Sequence, residues 1–319
     1  MKHLFNLYII LFVLLFSACS LKKDIDFDTS NYEQKVIVNG LFTINEPLTI
    51  NLSLSRQIDT ASLPEYLDSA MVLLFENEIL IDTLKKVEVP VNPNLIYAWN
   101  HKGYYQSNSI LHENKNYKIT VTNKDYPLIT AKSYIPQLID TPIVYIKDSA
   151  KYAIGSSFQE LVQLSFYDDA STENYYYITV GQTDISDSAF YNQLYFDCKD
   201  ISIPNSSPYL NNETHGYIYF NDELFNGQTK TLNLYVDDFY LNMKTWNGSE
   251  EVVEPVYVNI YCITKDYYEY VKSADEQQYI FWGGTNGIIV PDPIQVYSNI
   301  NNGLGIFSGY QSMRILINK

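Results

Sequence analysis

Two pairs of adjacent acids are the residues of this chain whose type and spacing first suggest chemistry. They are Asp168-Asp169 and Asp237-Asp238. Paired carboxylates could bind Ca²⁺, which takes several oxygen ligands, but neither pair belongs to an EF-hand series. They could also act as the acid and nucleophile of a glycosidase, if a cleft separated two carboxyl groups by about 5–10 Å. We expect solvated strand ends instead, and therefore no metal site and no cofactor.

The other residue types that support catalysis are too scattered to form a site. His3, His101, His112 and His215 have no cysteine or carboxylate at metal-ligand spacing. The sequence also contains no HExxH, no Gly-x-Ser-x-Gly, no P-loop and no dinucleotide-binding glycine pattern. We therefore predict that the protein is not an enzyme and has no catalytic residues. A glycan hydrolase that uses the paired acids, and a purely structural protein, remain alternatives.

The cysteines suggest a covalent modification rather than catalysis. Lys2 and His3 precede an apolar run that ends at Ser17-Ala18-Cys19, the layout of a signal peptide. Leu15 to Cys19 resembles a bacterial lipobox, which implies cleavage before Cys19 and acylation of its thiol. We expect a lipid anchor in a membrane of the bacterial cell envelope, because acyl chains give stable membrane binding. Cys198 and Cys262 could pair in that oxidising compartment, although we favour two free thiols.

Charge and composition limit the partners of the chain. With 37 acidic against 21 basic residues the net charge is −16, which opposes binding to nucleic acid or anionic lipid. The 30 tyrosines suit strands, so most are expected on sheet faces and a minority on a recognition surface. The candidate binding aromatics are Trp99, Tyr104, Tyr105 and Trp246, the last beside a predicted Asn247-Gly248 loop.

Hydrophobic periodicity predicts a mainly β protein. Leu48, Ile50, Leu52 and Leu54 alternate with polar residues, which indicates a half-buried strand. About seven such strands predict an immunoglobulin-like β-sandwich over residues 33–136, after a signal peptide (1–18) and a lipidated tether (19–32). A proline-rich boundary then begins a second β-rich domain, 137–319.

The second domain is predicted to contain one helix and to end on three short strands. Tyr267, Tyr270, Val271 and Ala274 are spaced i, i+3, i+4 and i+7, which places them on one helical face. Gly283-Gly284 would end this helix. Strands are expected at 294–297, 304–307 and 313–317, and the glycines around Leu304 favour a structural terminus that closes this domain.

Three motifs resemble a known family. They are Phe166-Tyr167-Asp168-Asp169 with Asn174 to Ile178, then Asn221 to Gln228, and finally Val296 to Ile300 with Gly303-Leu304-Gly305-Ile306-Phe307. With the lipobox and the strand at Val36 they resemble a lipoprotein family of the Bacteroidota, domain of unknown function 4249. The resemblance implies an envelope lipoprotein with a binding or assembly role, accessory to an outer-membrane β-barrel, a TonB-dependent receptor. It supplies no catalytic residues.

Overall fold

The computed structural model describes residues 32–57, 65–88, 102–154, 157–183, 191–203, 214–247, 250–281 and 294–317. In these residues the chain is mainly β, as the sequence predicts. The strands up to residue 136 are β1 Val36–Phe42, β2 Pro47–Leu54, β3 Met71–Glu76, β4 Ile79–Val87, β5 Tyr104–Ile110, β6 Asn116–Asn123 and β7 Tyr126–Tyr134.

Twelve further strands and two helices follow in the described residues. The first five strands are β8 Ile143–Ile154, β9 Ser157–Tyr167, β10 Tyr175–Thr183, β11 Tyr191–Leu194 and β12 Phe196–Asp197. The others are β13 Thr214–His215, β14 Tyr217–Asn221, β15 Thr229–Asp237, β16 Lys244–Asn247, β17 Glu250–Val253, β18 Val256–Ile263 and β19 Leu304–Leu316. The helices are α1 Asp238–Leu241 and α2 Lys265–Phe281. Neither helix is long and apolar enough to cross a membrane.

One large sheet runs through most of the described chain. Its order is β11-β10-β18-β19-β1-β2-β5-β4-β3-β6-β7, with β14 also paired to β10. The first half of β4 pairs with β3 and its end pairs with β5. Buried residues from both sides of β4, such as Ile50 and Ile119, belong to one hydrophobic core. This arrangement is the sandwich expected for the first part of the chain.

A second sheet covers the second core. Its order is β13-β12-β15-β9-β8. Leu164 of β9 and Leu234 of β15 share this core with Ile178 of β10 and Ile260 of β18, all fully buried. The second part of the chain is therefore also a sandwich, with a sheet on each side of an apolar interior.

The last strand joins the two cores. The two short strands expected at 304–307 and 313–317 are one 13-residue strand, β19. Its first half pairs in parallel with β1, and its second half pairs with β18. Phe307 belongs to the first core, so the predicted first domain, 33–136, lacks a strand that the structure supplies from the far end of the chain.

Glycine is required where β19 meets β1. The φ angle of Gly305 is +103°, and a Cβ atom there would lie 2.1 Å from the carbonyl oxygen of Val38. The segment around Leu304 therefore packs on the first core and does not only close the second domain, which corrects the prediction. The backbone approach that the Gly-Leu-Gly pattern suggests is present.

The strand expected at 294–297 is not formed. The backbone N–H of Tyr297 instead donates to Oγ of Ser273 in α2 over 2.8 Å, and its hydroxyl donates to Asp266 over 2.6 Å. The side chain of Asn299 holds both the N–H and the C=O of Phe307. Side chains thus provide hydrogen-bond partners for the backbone of this segment, so it does not need to pair with a neighbouring strand.

Candidate functional site

Strand β10 presents different residues to its two faces. Tyr176, Ile178 and Val180 enter the second core, whereas Tyr175 and Tyr177 pack with residues of α2. This alternation follows from the two-residue period of a strand. Because both faces are covered, the run Tyr175-Tyr176-Tyr177 contributes rings to two separate layers.

Helix α2 supplies the other side of the tyrosine layer. Oγ1 of Thr264 accepts from the backbone N–H of Tyr267 over 3.2 Å, which satisfies a free donor at the helix start. Asp266 lies in the first turn, where a negative charge suits the helix dipole. Tyr267, Tyr270 and Val271 pack in the same cluster as Tyr175 and Tyr219 of the sheet. The predicted helical stripe is confirmed, while Gly283-Gly284 lies outside the described residues.

An open cavity of about 470 Å³ lies beside this tyrosine layer, a size typical of small-molecule sites. Strands β1, β2, β5, β10, β14 and β19 and helix α2 all contribute to its lining. The lining residues are Asn39, Gly40, Leu41, Asn51, Tyr104, Tyr177, Tyr217, Tyr267, Tyr270, Val271, Ala274, Asp275 and Ile306.

Ring packing holds the tyrosines of this cavity in place. The Tyr177 and Tyr217 rings stack with centroids 5.1 Å apart and planes 23° apart. Tyr267 lies nearly parallel to Tyr177, with the centroids 6.3 Å apart, and Tyr261 meets Tyr177 edge-on. Offset stacking and edge contacts are favourable geometries for aromatic pairs. The wall is therefore arranged before any ligand arrives.

Among the described residues that line the cavity, Asp275 alone has a carboxyl group. The hydroxyl of Tyr217 donates to it. Burial raises the pKa of the Asp275 carboxyl, the hydroxyls of Tyr217 and Tyr219 partly offset that shift, and the neighbouring Glu276 adds to it. Burial also raises the pKa of Tyr177 and Tyr217, and that of Tyr267 to about 12. These hydroxyls remain protonated near neutral pH.

Several polar groups of the lining have no hydrogen-bond partner within the part of the chain that the structure describes. Among the described residues, the hydroxyls of Tyr177, Tyr267 and Tyr270 and the amide of Asn39 make no hydrogen bond. They line an open cavity in which water or a ligand can satisfy them. This combination of fixed rings and free polar groups makes the cavity the candidate binding site.

Only one member of the first acid pair is solvated as expected: Asp169 is exposed just past the end of β9, whereas Asp168 is buried. Asp168 is 0% exposed. It accepts from the hydroxyl of Tyr176 over 2.5 Å and from the backbone N–H of Gly227 over 2.9 Å. Gly227 has a φ of +71°, as expected for a tight turn after Asn226. Asp168 therefore anchors this turn against the second core and cannot reach a substrate.

The second acid pair caps a helix. A side-chain oxygen of Asp237 accepts from the backbone N–H of Phe239 at the start of α1, and Asp238 accepts from the side chain of Asn242. No group of three or more possible ligands that could hold a metal ion occurs in the described part of the chain. The two acid pairs thus have local structural roles.

The two described cysteines are unpaired, as favoured from the sequence. Cys198 and Cys262 are buried free thiols. Burial raises the pKa of each thiol to about 12, which keeps it protonated and unreactive. Cys19, the predicted lipidation site, lies outside the described residues.

The structure separates the four aromatic candidates. Tyr104 lines the cavity, but Tyr105 is only 2% exposed and is part of the first core. The Tyr105 hydroxyl donates to the carbonyl of Leu67 and accepts from the N–H of Ala70, so its selection as a binding residue is wrong. Trp246 lies in strand β16, and so does Asn247 of the predicted loop. The side chain of Trp246 is outside the described part of the chain, as is Trp99.

Sequence patterning does not identify most of the cavity residues. It places Tyr267 and Tyr270 on a helical face and Tyr177 on a strand, without any sign that they meet. The available signal was the combination of tyrosines at both alternating and helical spacing within one domain. That signal shows amphipathic elements but not which faces pack together.

No curated protein matches the chain. A crystal structure of a mutant Salmonella alpha-2-macroglobulin is similar over 90% of this chain and 15% of that one, with 12% identity and a TM-score of 0.24. A crystal structure of a Corynebacterium diphtheriae protein, described as membrane anchored, is similar over 72% of this chain and 54% of that one, with 11% identity and a TM-score of 0.21. The chain thus spans only a part of these two proteins.

The family assignment rests on the sequence. The profile of the family described as "Domain of unknown function (DUF4249)" matches residues 22–315. That range includes the first core, nearly all of the second core, helix α2, most of β19 and the three motifs that carry the resemblance. The match extends over far more than half of the 319 residues. The chain belongs to this family of unknown function, DUF4249.

Proposed function

We propose that this protein is an envelope lipoprotein with a non-catalytic binding role, which holds a ligand for an outer-membrane TonB-dependent receptor. The observation that supports this proposal is the open cavity whose tyrosine wall is held in place by ring packing. Rigid aromatic walls with a few polar groups are typical of binding sites. The lipobox-like segment ending at Cys19 supplies the anchor.

The cavity lacks what hydrolysis would need. Its described lining contains one carboxyl group, that of Asp275, and no histidine, cysteine, serine or lysine. Nucleophilic catalysis requires a nucleophile, a base and a group that orients the base. An inverting or retaining glycosidase requires a second carboxyl group across the cleft. These requirements favour binding over turnover.

The receptor partnership comes from the family resemblance and needs a direct test. We expect crosslinking in intact cells, followed by mass spectrometry, to recover a β-barrel receptor with this protein. Confinement by the lipid raises the effective concentration of the two proteins, so even a weak contact would be captured. Cys19→Ala is the control, because loss of the anchor should remove labelled fatty acid and most of the crosslinked receptor.

Three results would contradict parts of the proposal. Recovery of the protein alone, under conditions that capture known pairs of barrels and lipoproteins, would favour a purely structural role. Turnover of a glycan that is lost on Asp237→Asn, but not on the matched change Asp238→Asn, would favour an enzyme. Incorporation of fatty acid into the Cys19→Ala protein would disprove the anchor.

A further inference from the structure

The charges that line the cavity favour some ligands over others. None of its described lining residues is Lys, Arg or His, and its one ionisable carboxyl group is Asp275. The chain as a whole has a net charge of −16. A bound anion would have no counter-charge in the lining and would be repelled by the rest of the protein. The ligand that this charge distribution suits is neutral or positive.

Two oxygen atoms near Asp275 and on β2 remain free to accept hydrogen bonds from a ligand, those of Tyr217 and Asn51. The side-chain NH₂ group of Asn51 already donates to the carbonyl of Lys102 over 2.8 Å, which leaves its carbonyl oxygen for a ligand. The hydroxyl proton of Tyr217 is used by Asp275, which leaves the lone pairs of the Tyr217 oxygen. A ligand with several N–H donors would match these acceptors.

Aromatic and aliphatic side chains make up the rest of the wall. Tyr177, Tyr217 and Tyr267 are already packed against one another, and a cation is attracted to the face of such a ring. Leu41, Val271 and Ile306 add apolar surface. Such a wall can accept an alkyl group attached to the cation.

We propose that the cavity binds a primary alkylammonium ion, whose N–H groups donate to Asp275 and to the oxygens of Tyr217 and Asn51. The alkyl chain lies against the apolar residues. The inference rests on the proposed binding function and gives the chemical class of its ligand. A bare metal ion is a poor alternative, because one carboxylate supplies too few of the oxygens that a hard cation needs.

The test compares ligands of equal length and different charge. The purified full chain, in a neutral polyoxyethylene detergent, is titrated with n-butylammonium, 1-butanol, butyrate and sucrose, and binding is followed by ligand-observed NMR. We expect n-butylammonium to bind about tenfold or more tightly than 1-butanol, and butyrate not to bind. Equal binding of n-butylammonium and 1-butanol, or no binding of either, would overturn the proposal.

Sucrose separates this proposal from a neutral polar ligand. Binding of sucrose without n-butylammonium would assign the cavity to a saccharide and overturn the cation proposal. In that case the receptor could still be recovered by crosslinking, so the binding function would stand. If crosslinking recovers no receptor while n-butylammonium still binds, the ligand class would stand and the receptor partnership would be overturned.

A pair of adjacent variants tests the carboxyl group. Asp275→Asn keeps an oxygen that can accept from Tyr217 and removes the charge, so we expect n-butylammonium affinity to fall about tenfold. Glu276→Gln removes the same charge from the next residue, which does not line the cavity, and should change affinity less than about twofold. Equal losses in the two variants would show that only the overall charge matters.

The pH dependence of n-butylammonium affinity in the unmodified chain gives a second measurement, which is needed if the Asp275→Asn variant does not fold. The groups around Asp275 are Tyr217 and Tyr219 of β14 and Glu276 of α2. The tyrosines stay neutral, and Glu276 is outside the cavity. Affinity for n-butylammonium should therefore fall as Asp275 takes up a proton at acidic pH. Affinity that is constant down to the pH at which the protein unfolds would contradict the proposal.

Discussion

The two faces of strands β10 and β14 differ in whether their side chains are buried in a core or open to a cavity. On the inner face, Ile178 and Phe220 are fully buried in the second core. On the outer face, Tyr177 and Tyr217 are half-buried and line the cavity. The inner face has its polar groups satisfied, as the bond from Tyr176 to Asp168 shows. The comparison indicates that one face maintains the fold while the other is free to bind.

Truncation of one ring on each face of β14 should give the largest contrast. Phe220→Ala leaves a cavity in the second core, so we expect the free energy of unfolding to fall by about 3–5 kcal/mol. Tyr217→Ala on the other face of the same strand should cost less than half of that, because solvent can fill the space. Urea denaturation measures both, and equal losses would show that the outer layer is part of the core.

Deletion of one hydroxyl on each face of β10 should give a smaller contrast. Tyr176→Phe leaves the buried carboxyl of Asp168 without one donor, so we expect a loss of about 1–3 kcal/mol. Tyr177→Phe removes a hydroxyl that has no hydrogen-bond partner among the described residues, and stability should hardly change. A loss for Tyr177→Phe as large as that for Tyr176→Phe would mean that its hydroxyl is engaged within the fold.

The smallest expected effect is the contribution of Asp275, beside the outer face, to the pH dependence of stability. Burial raises the pKa of Asp275 in the folded protein, so this state binds more protons than the unfolded chain. Stability from this group is then present at low pH and is lost as pH rises from the unfolded pKa through the folded one. Asp275→Asn should remove that loss in the absence of ligand. Thermal unfolding at several pH values measures it, and unchanged pH dependence would contradict the raised pKa.

The sequence predicted local features better than their assembly. The alternation of Leu48 to Leu54 predicts β2, which is formed. The polar run Glu76-Asn77-Glu78 between two apolar runs is typical of a tight hairpin, and Asn77 and Glu78 both have positive φ there. These features depend on neighbouring residues only. Strand β8 was missed because polar residues interrupt its alternation, and its pairing with β9 is irregular.

The site was less predictable than the strands for a physical reason. Tyr104 of β5 and Tyr267 of α2 are far apart in sequence, and only the packing of the sheet brings both to one cavity. Hydrophobic patterning cannot distinguish Tyr104 from Tyr105, because it assigns alternate faces without showing which face is inside. The structure places Tyr105 inside and Tyr104 at the cavity.

The pairing of β19 with β1 has a consequence for the order of folding. Ile37 lies beside Leu304 and Gly40 beside Phe307, so the first core is completed by residues near the far end of the sequence. Such a contact requires closure of a very long loop, which slows folding. A growing polypeptide cannot finish its first sandwich until β19 has been synthesised. One edge of β1 therefore stays unpaired until β19 is made, and an unpaired strand edge is prone to misassembly.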